Sequence, residues 1–352
     1  MRYLFALVSI LLCAVAAMSI LPVIDTDLWW IRVLDYMRLQ YVVALVILLV
    51  AMVPLIRGRL RAGLVAGAIG LAALVWNGIV LAPYVGGDAD RTACTGSDEF
   101  TIMSANVLLG NDDYEGLIRQ LEAVDPDVLL VMETDEGWDR ALAELDMKMP
   151  HTVQRITGSY FGMHFKSKFP ISASNIVLPA GQDAPAISTD ISLPNGDVVQ
   201  FLGIHPRPPH PGLSSTGRDG QLAWAALKAR EIPKPVILVG DLNSVPWEGV
   251  VQRMRRIARL IDPREVRGFK ATFDAQSWWR YWPLDHVLTS ETVDVTRMDV
   301  GESFGSDHYP ITSTICMRNG PRSAPQLQDG DIEAAQLDIA KAERGPDEKV
   351  GD

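Results

Sequence analysis

Hydrophobic positions are concentrated in the first quarter of this chain, where three apolar runs follow one another. The runs are Tyr3–Ile24, Tyr41–Ile56 and Ala62–Val85. A helix that spans a bilayer needs roughly 20 apolar residues, and the second run reaches that length when it is counted from Arg38. A signal peptide followed by buried core helices is the alternative, but the apolar core of a signal peptide has only about 7 to 15 residues. The pattern therefore predicts three transmembrane helices, at about 3–24, 38–56 and 62–85.

The charged residues between the apolar runs predict how the chain is oriented in the membrane. Arg57, Arg59 and Arg61 lie between the second and third runs, whereas the loop between the first two runs mixes two arginines with three aspartates. Loops rich in Lys and Arg stay on the cytoplasmic side. We therefore expect an integral protein of the inner or plasma membrane, with everything after Val85 on the extracytoplasmic, periplasmic side.

After the apolar runs, short apolar strands alternate with amphipathic helices, which is typical of an α/β domain. Strands are predicted at 100–106, 127–133, 198–205, 235–241, 284–288 and 311–316, and helices at 114–124, 219–230 and 250–261. The predicted regions are a membrane anchor (1–87), a polar linker (88–97), an α/β domain (98–318) and an acidic tail (319–352). The tail has few aromatic residues, so we expect it to be mostly disordered, with at most a weak helix at 332–344.

Polar side chains recur at the ends of the predicted strands. The residues at or just past these ends are Asn106, Glu133, His205, Asp241 and Asn243, and they are followed along the chain by Asp285, Asp307 and His308. A single polar residue at such a position is usually a helix cap or a turn former. In a layered α/β fold, however, strand ends present side chains to a cleft, and the repetition predicts one shared site.

The residue types in this set are typical of metal-assisted hydrolysis. The carboxylate of Glu133 and the amide oxygen of Asn106 are hard oxygen ligands that Mg²⁺ accepts. His205 and His308 suit an acid, a base or a phosphate-binding cation. The three cysteines are too few for a zinc cluster, and the sequence has neither a phosphate-binding G-x-x-x-x-G-K-[ST] loop nor a G-x-S-x-G serine elbow. Hydrolysis by water activated at a metal is the reaction that remains.

Five short segments give the chain a resemblance to a known family. They are Ser104–Asn106, Val131–Glu133, Gly240–Asn243, Leu284–His286 and Ser306–His308. Their order resembles that of the endonuclease/exonuclease/phosphatase superfamily, and the resemblance covers nearly all of the α/β domain. It implies a DNase I-like fold, which is a four-layer α/β sandwich, here preceded by three transmembrane helices as in a membrane-anchored bacterial-type member.

The resemblance also implies a metal site. Glu133 resembles the principal metal ligand of the family, Asn106 lies beside it, and Asp307 is expected to support a metal. The implied cofactor is Mg²⁺ or Mn²⁺, which agrees with the oxygen donors in the sequence.

Five residues are expected to carry the catalysis. His308 resembles the base that activates the attacking water, and Asp285 resembles the carboxylate that orients it. Asp241 and Asn243 resemble the pair that positions the nucleophile and stabilises the pentacoordinate phosphate, and His205 resembles a phosphate-contacting histidine.

The sequence does not identify the substrate, and several classes remain. A lipid headgroup or another small phosphoester, as a diester or a monoester, is the leading interpretation, and the bilayer is an expected partner through the N-terminal helices. The net charge of -11 disfavours nucleic acid, because phosphate-backbone affinity comes largely from Lys and Arg. An extracytoplasmic nuclease and a catalytically silent binding module are the alternatives. The aromatic segment Ser277–Trp282 either packs beneath a strand or forms an amphipathic rim that meets a lipid or a base.

The cysteines add one expectation that depends on the resemblance. Cys13 falls within the first predicted span, which leaves Cys94 and Cys316 for the α/β domain. In the superfamily the first and last strands are antiparallel neighbours, and Cys316 is then near the start of the first strand. An extracytoplasmic location permits a disulfide between Cys94 and Cys316; two free thiols are the alternative.

Overall fold

The computed structural model describes residues 1–57, 59–86, 99–318 and 320–345. In this part of the chain, three helical segments are long and apolar enough to cross a membrane, namely Arg2–Val23, Trp29–Leu55 and Leu60–Tyr84. They contain the helices α1 (Arg2–Ile20), α2 (Trp29–Leu34), α3 (Arg38–Met52) and α4 (Leu60–Leu81). Leu12, Leu45 and Ala73 are buried where α1, α3 and α4 pack together. The three predicted apolar helices are therefore present, whereas the predicted linker 88–97 lies outside the described residues.

Two mixed sheets form the α/β domain. The described strands are β1 (Glu99–Asn106), β2 (Val128–Met132), β3 (His151–Arg155), β4 (Met163–Ser167), β5 (Ile171–Val177), β6 (Ala186–Ser192), β7 (Val198–Ile204), β8 (Val236–Asp241), β9 (Asp285–Thr289), β10 (Val293–Val300) and β11 (Ile311–Met317). The first sheet has the order β10-β11-β1-β2-β4-β3, and the second has the order β5-β6-β7-β8-β9. The β1–β2 and β7–β8 pairs are parallel. The other neighbouring strands are antiparallel.

Helices cover the outer faces of both sheets. They are α5 (Tyr114–Val124), α6 (Glu136–Leu142), α7 (Thr216–Glu231), α8 (Gly249–Ala258), the short α9 (Arg264–Arg267) and α10 (Asp331–Glu343). A core of buried apolar residues such as Ile102, Leu130 and Val239 fills the space between the sheets. Further apolar clusters lie between the first sheet and α5 and α6, and between the second sheet and α7, α8 and α10. The result is a four-layer α/β sandwich, as the resemblance implies.

Two aspartates begin the helices that cover the first sheet. Asp113 accepts a hydrogen bond from the backbone N–H of Gly116 at 2.9 Å at the start of α5. Asp135 accepts from the backbone N–H groups of Gly137 and Trp138 at the start of α6. Each carboxylate satisfies N–H groups that have no partner within the helix.

The tail that we expected to be mostly disordered contains α10. Ala335 and Ala342 of this helix are buried against α7. A Cβ on Gly220 of α7 would lie 2.4 Å from the Cβ of Ala342, so the glycine lets the two helices approach closely. Arg256 of α8 donates two hydrogen bonds to Asp331, at 2.7 and 2.9 Å. These contacts join residues that are distant in sequence, and composition alone does not reveal them.

Candidate active site

The topology brings polar strand ends to one edge of the sandwich. Asn106 ends β1, and Glu133 follows β2, which runs parallel to β1. Asp241 ends β8, and in the antiparallel register it lies opposite Asp285, the first residue of β9. His308 precedes β11, the antiparallel neighbour of β1. All eight predicted site residues lie at this edge of the sheets, as the strand-end pattern indicates.

His308 lies between two buried carboxylates. Its Nδ1 is 2.8 Å from Oδ2 of Asp285, and its Nε2 is 3.4 Å from Oδ2 of Asp241. The ring of Phe273 tilts against the imidazole with 4.9 Å between the centroids. Burial by itself would lower the pKa of His308, but the charges of Asp285 and then Asp241 outweigh it and raise that pKa to about 10. In the protein alone, the imidazole therefore carries a proton near neutral pH.

The other members of this group respond to the same contacts. Burial raises the pKa of Asp241 to about 6, although the positive charge of His308 opposes the rise. Asp285 is buried as deeply, yet its pKa falls below the usual range because the attraction and hydrogen bond of His308 outweigh desolvation. Asp285 and His308 thus form an ionised pair. Of the two carboxylates beside His308, Asp241 interacts with the imidazolium more weakly than Asp285 does.

Glu133 is held beside Asp241 by amide groups. The side-chain Nδ2 of Asn106 donates to Oε1 of Glu133 at 2.9 Å and to Oδ2 of Asp241 at 3.1 Å. The backbone N–H of Leu109 donates to Oε2 of Glu133 at 3.0 Å. Glu133 has a backbone φ of +62°, which is uncommon for a residue with a side chain. The amide nitrogen of Asn106, and not its oxygen, thus faces the two carboxylates, while the oxygen accepts from the N–H of Leu108 at 3.1 Å; the oxygen would face a metal beside Glu133 only if the amide turned over.

His205 lies on the other side of the two carboxylates. Its Nε2 is 3.7 Å from Oε1 of Glu133 and 3.7 Å from Oδ2 of Asp241. Neither ring nitrogen makes a hydrogen bond of normal geometry to any residue that the structure describes. Burial lowers the pKa of His205, more than the nearby Asp241 raises it. The ring also has a weak contact with the backbone of Tyr160. A buried histidine with such weak contacts is suited to a ligand that supplies a stronger hydrogen-bond partner.

A close approach between β7 and β8 brings His205 and Asp241 together. Gly240 has a φ of +148°, and a Cβ at this position would lie 1.8 Å from the carbonyl oxygen of Ile204. Any side chain there would force β8 away from β7. Glycine is therefore required one residue before Asp241 and opposite the residue that precedes His205.

Asn243 contributes its backbone and its side chain to the arrangement. Its N–H donates to Oδ1 of Asp241 at 2.8 Å, and its side-chain amide donates to the carbonyl of Pro206 at 2.9 Å. The residue has a φ of +48°, in the left-handed region that Asn tolerates better than most residues. Asn243 thus connects the loop after β8 with the proline-rich loop that follows His205.

The oxygen donors at this edge fit a hard divalent cation. Asp241, Asp285 and His308 each offer an atom within 4.8 Å of the others. Glu133 and the half-buried Asp307 face the open side of the same cleft. Burial raises the pKa of Asp307, and the carboxylate of Glu133 adds to the rise although His308 opposes it. Closely spaced carboxylates that repel one another are the donor set that Mg²⁺ and Mn²⁺ accept.

A cleft of about 840 Å³ opens above the site. Glu133, Asp241 and His308 are at its polar end, and its walls are mainly aromatic and aliphatic. The cleft is also lined by residues that sequence reasoning missed, Trp29, Val33, Tyr36 and Phe273. The first three belong to the segment between α1 and α3. The aromatic pair Trp29 and Trp30 ahead of the second apolar run was the available signal.

Fold and site together define a DNase I-like α/β sandwich with carboxylates and histidines gathered at one edge of its two sheets. A profile of the Endonuclease/Exonuclease/phosphatase family matches residues 103–308, which is more than half of the chain. The chain belongs to this family. No curated protein sequence matches it.

Solved structures with a similar fold cover most of the α/β domain. A humanized D. rerio TDP2 is 21% identical with a TM-score of 0.54, and the match covers 62% of this chain and 99% of that one. The human nocturnin catalytic domain is 16% identical with a TM-score of 0.53, and the match covers 65% and 96%. An endonuclease/exonuclease/phosphatase from Beutenbergia cavernae is 15% identical with a TM-score of 0.52, and the match covers 67% and 76%. At these identities the likeness shows the fold.

Proposed function

We propose that this protein is a membrane-tethered, metal-dependent phosphoesterase that hydrolyses a phosphodiester or a phosphomonoester by means of an activated water molecule. The observation that carries the proposal is the placement of His308 between Asp285 and Asp241, with Glu133 and the buried His205 beside them. General acid–base groups, anionic metal ligands and a buried histidine that faces them are what the hydrolysis of a phosphate ester needs.

Glu133 is the proposed principal ligand of Mg²⁺ or Mn²⁺, supported by Asn106 and Asp307. A bound divalent cation would polarise the phosphoryl oxygen and would offset the carboxylate charge that raises the pKa of His308. The proposed metal site can be tested without measuring catalytic activity. Thermal unfolding of the full chain in detergent should shift upwards with added Mg²⁺ or Mn²⁺, and Glu133→Gln should reduce that shift more than the exposed Glu302→Gln does.

The protein's own groups are proposed to divide the remaining work. His308 takes a proton from the attacking water at Nε2, while Asp285 holds the ring through Nδ1 and stabilises the imidazolium that results. Asp241 and Asn243 position the nucleophile and the phosphate. His205 contacts a phosphate oxygen once the substrate supplies a stronger hydrogen-bond partner for its ring.

The proposed location is the extracytoplasmic face of an inner or plasma membrane. With three spans, the loop between the first two and the domain after the third lie on the same side of the bilayer. The structure is compatible with this arrangement, because α2 and the residues around it contact the α/β domain. The loop that carries Arg57, Arg59 and Arg61 is at the opposite end of the helices, where the basic-loop rule expects the cytoplasm.

A panel assay tests the activity and separates the substrate classes. The full chain in detergent, with Mg²⁺ or Mn²⁺, is incubated with DNA, RNA, sphingomyelin, phosphoinositides and bis-p-nitrophenyl phosphate. We expect hydrolysis of at least one phosphoester and its loss in EDTA. Activity confined to DNA and RNA would make the protein a nuclease, and undiminished activity in EDTA would sink the metal mechanism. No hydrolysis of any substrate would point to a silent binding module.

A further inference from the structure

Residues 25–40, which we call the inter-span segment, run from the end of the first apolar helix into the first turn of α3 and contact the α/β domain at both of their ends. The carbonyl of Asp27 accepts from the N–H of Ser215 at 2.9 Å, and its carboxylate accepts from Oγ1 of Thr216 at 3.0 Å. At the other end, the side-chain amide of Gln40 donates to the carbonyl of Trp279 at 2.7 Å. The segment is therefore fixed to the domain on both sides of α2.

Arg32 fixes the middle of the segment through buried charges. The residue is 5% exposed, and its Nη2 lies 2.9 Å from Oε1 of Glu248 and 3.3 Å from Oδ2 of Asp219. Arg218 binds the same two acids at 2.6 and 2.7 Å. Buried charges are tolerated only when they are paired. This network therefore couples the position of α2 to the helices of the α/β domain.

Tyr36 connects the segment to the catalytic loop itself. Its hydroxyl donates to the carbonyl of Asn243 at 2.5 Å, and Nη1 of Arg218 donates to the same carbonyl at 2.9 Å. The indole N–H of Trp247 donates to the carbonyl of Asp35 at 2.8 Å. Because the N–H of Asn243 donates to the carboxylate of Asp241, the inter-span segment helps to fix the position of that carboxylate.

The inter-span segment also forms one wall of the cleft. Trp29, Val33 and Tyr36 line it, and Trp282 meets Tyr36 edge to face with 5.3 Å between the ring centroids. Leu284 continues this apolar surface towards the site. The cleft is thus lined by carboxylates and histidines, by Arg207 and Arg280, and by an apolar wall that comes from the inter-span segment.

The apolar wall is continuous with a membrane-spanning segment. A single turn separates α2 from α3, and both belong to the apolar stretch Trp29–Leu55. Leu28 and Trp30 beside the wall are 48% and 46% exposed. An exposed Trp at the end of a span is typical of the bilayer interface. A ligand that follows the wall away from the site therefore reaches the lipid surface.

We propose that the cleft takes a lipid phosphoester from the bilayer, with the phosphate at the His308 and Asp241 end and the apolar chain along Trp29 and Val33. This inference rests on the proposed phosphoesterase function and adds its substrate class. A small water-soluble phosphoester would contact only the polar end of the cleft. An apolar wall lowers the free energy of binding only for a substrate that has apolar surface to bury.

Two substrates with the same reacting group test the inference. p-Nitrophenyl methyl phosphate and p-nitrophenyl hexadecyl phosphate are both diesters with the same leaving group, and only the second has a lipid-like chain. The full chain, reconstituted in phosphatidylcholine nanodiscs with Mg²⁺ or Mn²⁺, should show a kcat/KM at least about tenfold higher for the hexadecyl ester.

Neighbouring tryptophans provide the matched variants. Trp29→Ala should lower the ratio of the hexadecyl to the methyl kcat/KM by about tenfold, whereas Trp30→Ala, whose side chain lies outside the cleft, should keep the ratio. Partitioning of the long-chain ester into the nanodisc affects both variants alike, so the difference between them measures the contact with the wall. Melting temperatures of both variants show whether each is folded.

The outcomes separate the two proposals. Equal kcat/KM values for the two esters in the wild-type protein would overturn the lipid inference and leave the phosphoesterase intact. The same would follow if a folded Trp29→Ala variant kept its chain preference, or if Trp30→Ala lost it to the same degree. Hydrolysis of neither ester, together with no activity on the substrate panel, would overturn the phosphoesterase proposal and the lipid inference with it.

Discussion

At the scale of single residues, the site depends on which charges surround His308. The imidazole contacts Asp285 through Nδ1 and approaches Asp241 through Nε2, and both acids are almost completely buried. A third carboxylate, Glu133, reaches the same place through the amide of Asn106. Repulsion among these acids is balanced only in part by one imidazolium. The negative charge that remains therefore favours the binding of a further cation.

His308→Ala should lower kcat severely, by at least about 100-fold, because it removes the proposed proton acceptor and leaves Asp285 without its partner. The matched control is His151→Ala, a half-buried histidine on β3 at the far edge of the first sheet. Steady-state kinetics on the best substrate of the panel measure both variants. A His308→Ala protein that melts like the wild type and keeps its kcat would remove His308 from the mechanism.

At the scale of elements, α10 adds part of the acidic tail to the outer helical layer of the sandwich. Its short apolar side chains face α7, where Gly220 allows the close approach, and its acids pair with arginines of α8. Neither half of this contact is strongly hydrophobic. The helix is stable because burial, ion pairs and shape all favour the same position.

Ala335→Glu should destabilise the protein by about 1–3 kcal/mol, because a longer and charged side chain cannot fit where Ala335 is fully buried. Leu337→Glu is the matched control, since Leu337 lies on the same helix and is 60% exposed. Thermal unfolding in detergent should show a lower melting temperature for Ala335→Glu and little change for Leu337→Glu. Equal melting temperatures would mean that α10 is not docked in solution.

The pairing of β1 with β11 bears on the expected disulfide. The strands are antiparallel, and Glu99 at the start of β1 lies opposite Cys316. Cys94 lies outside the described residues, so its bond to Cys316 stays a prediction. Mass spectrometry of a non-reduced digest, with protein from its native compartment, should recover the two cysteines in one cross-linked peptide pair. Alkylation of both as free thiols would contradict it, and Cys13 provides the internal reference for a free cysteine.

At the scale of the whole molecule, the N-terminal apolar segments and the α/β domain share one cleft, the candidate active site. The inter-span segment contacts the domain through Asp27, Arg32, Tyr36 and Gln40. An anchor that only tethered the domain would need no such contacts. In the proposed membrane-spanning arrangement, the contacts would require that the segment and the domain lie on the same side of the bilayer.

An alkaline phosphatase reporter tests this topology. Fused after Gly87, it should be active because the chain has by then crossed to the extracytoplasmic side; inserted between Arg57 and Arg61, it should be inactive. A β-galactosidase fusion at the same two positions is the control and should give the opposite pattern. If the phosphatase were active only at the arginine loop, the α/β domain would be cytoplasmic.

Local sequence determined three things about this protein. The three apolar helices follow from composition, because about 20 consecutive apolar residues are enough for a spanning helix without any tertiary contact. Six of the eleven described strands (β1, β2, β7, β8, β9 and β11) and the helices α5, α7 and α8 follow from short-range periodicity, whereas β3, β4, β5, β6, β10 and α6 were not predicted. The proximity of the candidate site residues was predicted from polar side chains at strand ends, because parallel and antiparallel neighbours bring those ends to one edge of a sheet.

Other features were decided only by the tertiary structure. Tyr36 and Asn243 are 207 positions apart, and Arg32 and Asp219 are 187 apart, so no window along the chain contains both partners. Tertiary structure also decides the docking of α10, the stacking of Phe273 on Trp282 and the apolar wall of the cleft. Each depends on complementary surfaces that exist only after the sheets have paired. The three apolar helices were therefore predictable from the sequence, and the part that the residues between them play in the cleft was not.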